Sequence, residues 1–528
     1  MCILCALPVI GALVHFAVYG AVTFRAFKYL YIEALLPLIN LLPGKSGKSA
    51  AVRSVTATVS AFAVCFYFLL CSVSSPMVHN FTRYGYTESF KKMLNTMKRE
   101  YALNSWKQID YDALLGEYLP RVEMAEKKRD ELEYAAIITE VTYRFYDSHV
   151  YPWLFPELYM PVCEYLAGND YGLSMVRLDD GSVIAVFVEP DSEAYKHGIH
   201  DGTTILSWDD RDINKAIENV ECIYPTIQFP VESNEDIFRP FFLAGKGGDS
   251  VNIAFVDDNG DEQIVNVKKL GNYDDRLTCS YEMLLNQYNV VYRNNYSCML
   301  NDKCGYLQII KESFDEVSDN ISAIRKGYYP ELTEYYAKLI EDLKDRGMKY
   351  LVIDIRNNGG GYDSCAGALA SLFTEEKTHM VSFGYEDTEG YHIAEDQYIF
   401  PDGRYKDIPV VVLVNANCVS AGDGMAKFLG DCSNVTLMGI TASGGVNQNN
   451  GGYIYLTDNI CVGYPVFLSL SSDSVPLIDT DHTRENRIPL DVTIPLTRER
   501  ALKLFSFDES DLELEYAMEY LENLGCAD

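Results

Sequence analysis

Two stretches place reactive residue types where a strand gives way to a helix. The first is Asp354-Ile355-Arg356-Asn357-Asn358-Gly359-Gly360-Gly361. Three consecutive glycines leave backbone N–H groups open to an incoming anion, with a helix N-terminus behind them. That suits an oxyanion or a phosphate. It is not a P-loop, because no Gly-Lys-Ser/Thr follows, and GxGxxG does not occur. On its own the run is equally an ordinary glycine-rich turn. The second stretch is Val414-Asn415-Ala416-Asn417-Cys418-Val419-Ser420-Ala421-Gly422-Asp423. A serine at such a bend can project its hydroxyl from the C-terminal edge of a sheet, and the amide of Ala421 is then placed to stabilise a tetrahedral oxyanion. A serine hydroxyl is a weak nucleophile without a base. The competing role for Ser420 is simply to cap the helix.

The surrounding pattern supplies elements to hold these junctions. Lys349–Ile355 and Pro409–Val414 are continuous apolar runs, as strands covered on both faces require. Helical segments follow each, at Asp363–Phe373 and Gly422–Leu429, and this alternation predicts an α/β domain over 271–528. Residues 79–165 are predicted mostly helical, with apolar three- and four-residue spacing over Ser89–Tyr101 and Met124–Tyr146. Asp147-Ser148-His149 ends the second helix, and Pro152 prevents simple continuation. Residues 166–270 change to short β-type runs at Leu173–Leu178, Ser182–Val188, Ile205–Trp208, Val251–Phe255 and Gln263–Val267, with a turn at Asp257-Asp258-Asn259-Gly260.

Three ordered motifs, DIRNNGGG, VLVNANCVSAGDGMA and GITASGGVNQNNGGYIYL, resemble the S41 peptidases, which include C-terminal processing proteases and tricorn-type core proteases. The resemblance covers roughly 100–500. It implies a mixed sheet flanked by helices, of ClpP/crotonase-like architecture. In the processing-protease branch a lysine follows Thr-x-Gly in the third motif. Here that run is Thr441-Ala442-Ser443-Gly444-Gly445, with glycine at the lysine position. Lys427, on the helix after Ser420, is expected in solvent. The tricorn-like branch uses serine, histidine and a supporting glutamate. Its "D-x-H" or "S-H" pattern fits Asp147-Ser148-His149. Its glutamate precedes a stretch resembled by Glu485-Asn486-Arg487-Ile488-Pro489-Leu490-Asp491-Val492, with Arg487 in place of glycine. The resemblance therefore implies Ser420 as nucleophile and His149 as general base. Glu485 and Ser148 would hold the imidazole, and Gly359 or Gly360 with Ala421 would donate to the oxyanion. His482 is a rival base. Cys418 and Cys365 are expected as buried apolar residues, and His197 and His200 at the surface.

Within 166–270, VFVEPDSEAYKHGIHDGTTILSWDDRDI resembles a PDZ domain of the bacterial protease type. PDZ domains bind an extended peptide as an added strand. The implied carboxylate nest is Tyr171-Gly172-Leu173, which makes Gly172 and Leu173 candidate substrate-binding residues. The competing reading is a small β-domain that merely packs on its neighbour.

Charge separates the N-terminal region from the rest. The 528 residues carry a net charge of −32, yet residues 1–76 hold five basic residues and one acid. Residues 1–24 and 54–78 are uncharged and each is long enough to cross a bilayer. The basic residues lie between them, so the 1–78 region is expected to form two transmembrane segments joined by a cytoplasmic loop. Everything beyond is then extracytoplasmic, at the cell membrane of what the resemblance suggests is a bacterium. A cleaved signal peptide followed by one span gives the same sidedness. The strong acidity argues against nucleic acid as a partner. Fourteen cysteines contain one CxxC, Cys2–Cys5, so no metal site is expected. Cys298 and Cys304 are the nearest pair beyond the apolar region and a candidate disulfide.

These readings converge on a membrane-anchored, cofactor-free serine endopeptidase acting on polypeptide. The rival is a catalytically inactive peptide or small-ligand receptor on the same fold. A crotonase-like acyl transferase is disfavoured, because nothing suggests a coenzyme A phosphate site.

Overall fold

The computed structural model describes Val55, Thr58 and residues 78–525, except 288–292, 314–328, 388–389, 446–448, 479–483, 485–487 and 507–509. The two apolar runs of the N-terminal region, and with them the expected membrane segments, lie almost wholly outside the described residues. Among the described residues no helix is long and apolar enough to cross a membrane.

The element that positions both junctions is a six-stranded sheet in the order Tyr296–Met299, Cys304–Gln308, Tyr350–Asp354, Val410–Leu413, Val435–Gly439 and Val492–Thr493. Its first pair is antiparallel and the rest are parallel. The runs Tyr350–Asp354 and Val410–Leu413 are buried at every residue, as strands packed on both faces must be. Their register sets Asp354 beside Leu413. Both chains therefore leave the sheet at the same C-terminal edge, which is where open α/β sheets place their ligands. The glycine turn leads into helix Asp363–Ser371, and the serine turn into helix Ala421–Gly430. These helices pack on each other and, with helix Pro330–Asp345, cover one face of the sheet.

A second sheet runs Val78–Asn80, Asn449–Tyr455, Ile460–Leu470, Thr378–Asp387 and Gly390–Ile399. Tyr151–Leu154 pairs with Ile460–Gly463 on its flank, so Ser148 and His149 stand just ahead of a strand anchored on this sheet. The helices Tyr86–Glu100, Tyr111–Lys128 and Glu131–Tyr143 pack with it in one apolar core. The continuous helix expected over Met124–Tyr146 is in fact two. Arg129 adopts φ 57° and Asp130 accepts from the Glu133 N–H, which ends one helix and caps the next.

The β-rich segment forms a third sheet, Ser174–Arg177, Val183–Val186, Thr204–Trp208, Ser250–Val256 and Glu262–Lys268, with Arg211–Asp212 on its side. Its entry and exit are zipped by the pair Asn169–Asp170 and Gly271–Asn272. All five strand runs expected from the sequence appear within two residues of their expected ends. Cys298 and Cys304 both carry free thiols, which corrects the candidate disulfide.

Candidate active site

Ser420 occupies a backbone conformation that side chains rarely adopt, φ 62° and ψ −127°. Such a residue costs on the order of 1–3 kcal/mol and persists only where its surroundings enforce it. The surroundings are visible. Val419 N–H donates to the Asn358 carbonyl at 2.9 Å, and Gly444 N–H to the Cys418 carbonyl at 2.8 Å. Ala416 N–H donates to the Thr441 hydroxyl, and Gly445 N–H to the buried Asp423 carboxylate, each at 2.9 Å. The third sequence motif thus braces the serine turn. Ser420 stands at the N-cap of helix Ala421–Gly430 but makes no side-chain capping bond, so its hydroxyl is not spent as a cap. Ala421, first in that helix, carries one of the N–H groups a helix cannot satisfy internally.

The glycine turn touches the serine. A Cβ on Gly360 would lie 2.7 Å from the Ser420 Cβ and 2.9 Å from the Ala421 nitrogen, and Gly360 has φ +88°. Only glycine fits there. Gly360 is, however, corrected as an oxyanion donor, because its N–H is already given to the Asn358 Oδ1 at 2.8 Å. Gly359 is exposed at the cavity, and its N–H makes only a long 3.3 Å bond to the Ile310 carbonyl.

His149 is buried, and its Nδ1 has no hydrogen-bond partner among the described residues. The carboxylate nearest to it in an ion pair is Asp147, with Oδ1 3.7 Å from Nδ1. Asp147 is fully buried and accepts the His149 main-chain N–H at 2.8 Å and the Tyr101 hydroxyl at 2.8 Å. Burial opposes its ionisation, but His149 and Lys107 hold its carboxyl below the usual range. Ser148 Oγ is likewise buried without a partner. Glu485 and the rival His482 lie outside the described residues.

A cavity of about 640 Å³ joins the two halves. It is lined by Ser148 and Tyr151–Leu154 on one side, and by Gly359, Ala416, Asn417 and Val419 on the other. The neighbours of His149 and of Ser420 therefore share one space with the glycine turn. Its floor is an amide cluster that the sequence reading passed over. Asn357 Oδ1 accepts from Gln287 and Asn417, Asn415 Oδ1 accepts from the Asn357 N–H, and the Tyr281 hydroxyl donates to Asn417 Oδ1. The asparagines of both junction motifs were the available signal. Other expected positions fall away from this space. Lys427 pairs with Asp431 one turn along its own helix. Cys418 and Cys365 are fully buried, and burial pushes both thiols up. His197 is exposed and His200 half-buried.

In the third sheet, Tyr171-Gly172-Leu173 is closed on itself. Gly172 N–H donates to Asp170 Oδ1 at 2.7 Å, its carbonyl accepts from Glu189 at 2.8 Å, and Leu173 is fully buried. Helix Glu232–Ala244 packs along the edge strand Ser174–Arg177. The Gly172 N–H is thus not open to a peptide carboxylate in this structure.

With this geometry established, similarity to known proteins takes on meaning. Residues 303–480 match peptidase family S41. That span holds the glycine turn, the serine turn and the third motif. Over this span the chain is similar to peptidase family S41. It is 28% identical over 137 residues to the carboxy-terminal processing protease CtpA of Bacillus subtilis (strain 168), a match that spans 26% of this chain and 28% of the relative. Crystal structures of mature CPAF and of a CPAF mutant each superpose with a TM-score of 0.51 at 14% identity. They cover 83% of this chain and 96% and 98% of theirs, which is a likeness of fold. The similarity to S41 accounts for the order of the three motifs along the chain. It leaves the activating residues to be argued from this molecule.

Proposed function

We propose that the protein is a membrane-anchored, extracytoplasmic serine endopeptidase in which Ser420 attacks the peptide carbonyl and His149 is the general base. The observation that carries this reading is the enforced, strained turn at Ser420, with its hydroxyl uncapped, beside a cavity whose opposite wall bears Ser148. The Ser420 Oγ proton would pass to His149 Nε2 as the carbon–oxygen bond forms, and then to the leaving amine. Water would hydrolyse the resulting ester by the reverse route. The carboxylate behind the imidazole is Glu485 in the reading from family likeness, with Asp147 as the partner the geometry supplies. The Ala421 N–H at the helix N-terminus and the Gly359 N–H are the oxyanion donors.

An extended polypeptide suits the wall opposite Ser420. Tyr151–Leu154 is paired on one side only. Phe155 N–H bonds to the Asn459 carbonyl, so alternation turns the polar groups of Pro152 and Leu154 away from the sheet, toward the free edge. A substrate strand added there would run past the serine turn. The PDZ-like sheet would then receive polypeptide upstream of the site, by a conformation in which its edge is less covered.

The test is labelling of the full chain by a fluorophosphonate, with peptide hydrolysis alongside. Labelling confined to Ser420, lost in Ser420→Ala with peptide binding retained, is the expected result. Binding of peptide without labelling or hydrolysis refutes the peptidase reading in favour of a receptor. Full proteolysis by Ser420→Ala refutes the assignment of the nucleophile.

A further inference from the structure

One buried acid beside the serine turn has no part in the chemistry above. Glu312 follows strand Cys304–Gln308 and is 2% exposed. Its main chain is stitched to the glycine turn, its N–H to the Gly360 carbonyl at 3.1 Å and its carbonyl to the Tyr362 N–H at 3.1 Å. A Cβ on Gly361 would lie 2.0 Å from the Glu312 carbonyl oxygen, so the two chains touch. One carboxyl oxygen, Oε1, accepts from Asn358 Nδ2 at 3.0 Å, and the other, Oε2, has no partner among the described residues. An ionised carboxylate left in this state would be costly, because half of its charge faces no donor.

Asn358 is the link to Ser420. Its amide takes the Glu312 bond, its Oδ1 holds Gly360 N–H, and its carbonyl holds Val419 N–H. Gly360 and Val419 lie against or next to Ser420. We propose that Glu312 is a positioning residue for the nucleophile, whose carboxyl locks Asn358 and through it both sides of the serine turn. This rests on the reading of Ser420 as a nucleophile.

Among the described residues, the ionisable groups facing Glu312 disfavour a charge on it. They are Asp363 and Cys365 on helix Asp363–Ser371, Asp423 on helix Ala421–Gly430, Tyr336 on helix Pro330–Asp345, and Cys418 ahead of the serine. None of these is a cation. Burial first, then Asp363, push the Glu312 carboxyl up to about 8. Ionisation would set a charge against Asp363 and Asp423 and push Glu312 and its elements apart, although the Asn358 bond by itself favours the charged form.

The experiment compares the full chain with Glu312→Gln and Glu312→Ala across pH 6 to 10, by fluorophosphonate labelling rate and by kcat and KM for a peptide. Glu312→Ala is expected to lose at least tenfold in labelling rate and kcat with KM little changed. Glu312→Gln, which keeps the amide-facing oxygen without a charge, is expected to restore both and to lack the alkaline fall of the wild type. A Gln variant as slow as the Ala variant, or one that keeps the wild-type alkaline fall, overturns the proposal. Unfolding by denaturant as a function of pH separates this from the fate of the peptidase reading. A carboxyl whose folded value lies above its unfolded value loses stability as pH rises from the unfolded value to the folded one. The wild type is therefore expected to weaken between pH 5 and 8 relative to Glu312→Gln, whether or not Ser420 is labelled. Parallel pH curves for the two proteins overturn the proposal.

Discussion

Replacing Arg356 by methionine should unfasten the sheet edge that carries the glycine turn. Arg356 is fully buried and binds three carboxylates. Its guanidinium donates to Asp354 at 2.9 and 2.7 Å, to Asp511 at 2.9 and 2.7 Å, and to Glu513 at 2.9 Å. Asp354 also accepts from the Tyr306 hydroxyl, and Glu513 from the Ile440 N–H. The cluster thus ties the end of strand Tyr350–Asp354 to helix Leu512–Gly525. Methionine fills the volume but leaves three carboxylates in one buried space. Breaking a buried pair costs about 3–5 kcal/mol. Protonation sets a ceiling, since holding one carboxylate neutral at pH 7 costs ~4 kcal/mol at about 1.36 kcal/mol per pH unit above its usual value. The expected loss at pH 7 is therefore ~4 kcal/mol, shrinking to ~1–2 kcal/mol at pH 5 as protons become available. Wild type behaves differently. Although burial opposes it, Arg356 holds the Asp511 carboxyl below its usual range, so that contribution stays intact down to the ordinary carboxylate range and is lost as pH falls through the folded value. Urea unfolding followed by circular dichroism at pH 7 and pH 5 measures both numbers. A loss below ~1 kcal/mol, or one that does not shrink at pH 5, would refute the reasoning.

Three further outcomes follow from the site. Gly360→Ala forces φ +88° on a side chain and drives a methyl to 2.7 Å from the Ser420 Cβ, so fluorophosphonate labelling should fall at least ~10-fold and the unfolding midpoint should drop. Asp147→Asn removes the charge 3.7 Å from His149 Nδ1, and peptide hydrolysis should fall ~10²-fold or more; retention within a few-fold, with loss in Glu485→Gln, would assign the orienting role to Glu485. Lys427→Ala removes only a partly exposed pair with Asp431, and should change stability by less than ~1 kcal/mol and labelling by less than twofold; a loss matching Ser420→Ala would revive a serine–lysine dyad.

What could be read from the sequence was whatever repeats with a period or bends with a glycine. Val410–Leu413 and Tyr350–Asp354 announced themselves because a strand buried on both faces is an almost unbroken apolar run, interrupted here only where Asp354 ends the second strand. Ser420 was legible because a serine between an apolar run and a helix has few roles. The supports were not legible. Glu312 sits 46 residues from Asn358, and nothing local marks a glutamate as buried. Asp147 appeared as part of a pattern around His149, but its burial and its bond to Tyr101 depend on a helix 46 residues earlier in the chain. The nest at Gly172 is what the PDZ resemblance implies, and a resemblance says nothing of the Asp170 carboxylate that takes the Gly172 N–H. Side-chain hydrogen bonds, whether between residues two apart as at Gly172 or 46 apart as at Glu312, decide which groups are free to bind, and they leave no periodic trace.

The same distinction bears on how the β-rich segment can act. Met175, Val176, Ile184 and Phe255 of its sheet belong to one continuous hydrophobic cluster with Val352, Val411, Leu413 and Met438 of the parallel sheet. Alternate residues of the same central strand, Val410 and Val412, belong to the cluster under the three helices. The segment therefore lies in the core that covers the second face of the sheet bearing Ser420. Phe187 stacks edge-on against Phe505, and Arg498 donates to Thr204, so helix Arg498–Leu504 and its C-cap residue grip the segment from the other side. A fully buried Val or Leu contributes about 1.5–3 kcal/mol, and swinging the whole segment away would expose many of them at once. Substrate admission must then come from local movement at the edge Ser174–Arg177 or in the loop bearing Gln228, which donates to the Val150 carbonyl beside His149. On the proposed function, in which the β-rich sheet receives polypeptide, the distance from that sheet to the Ser420 hydroxyl is fixed by the core, and with it the minimum length of polypeptide that would occupy both.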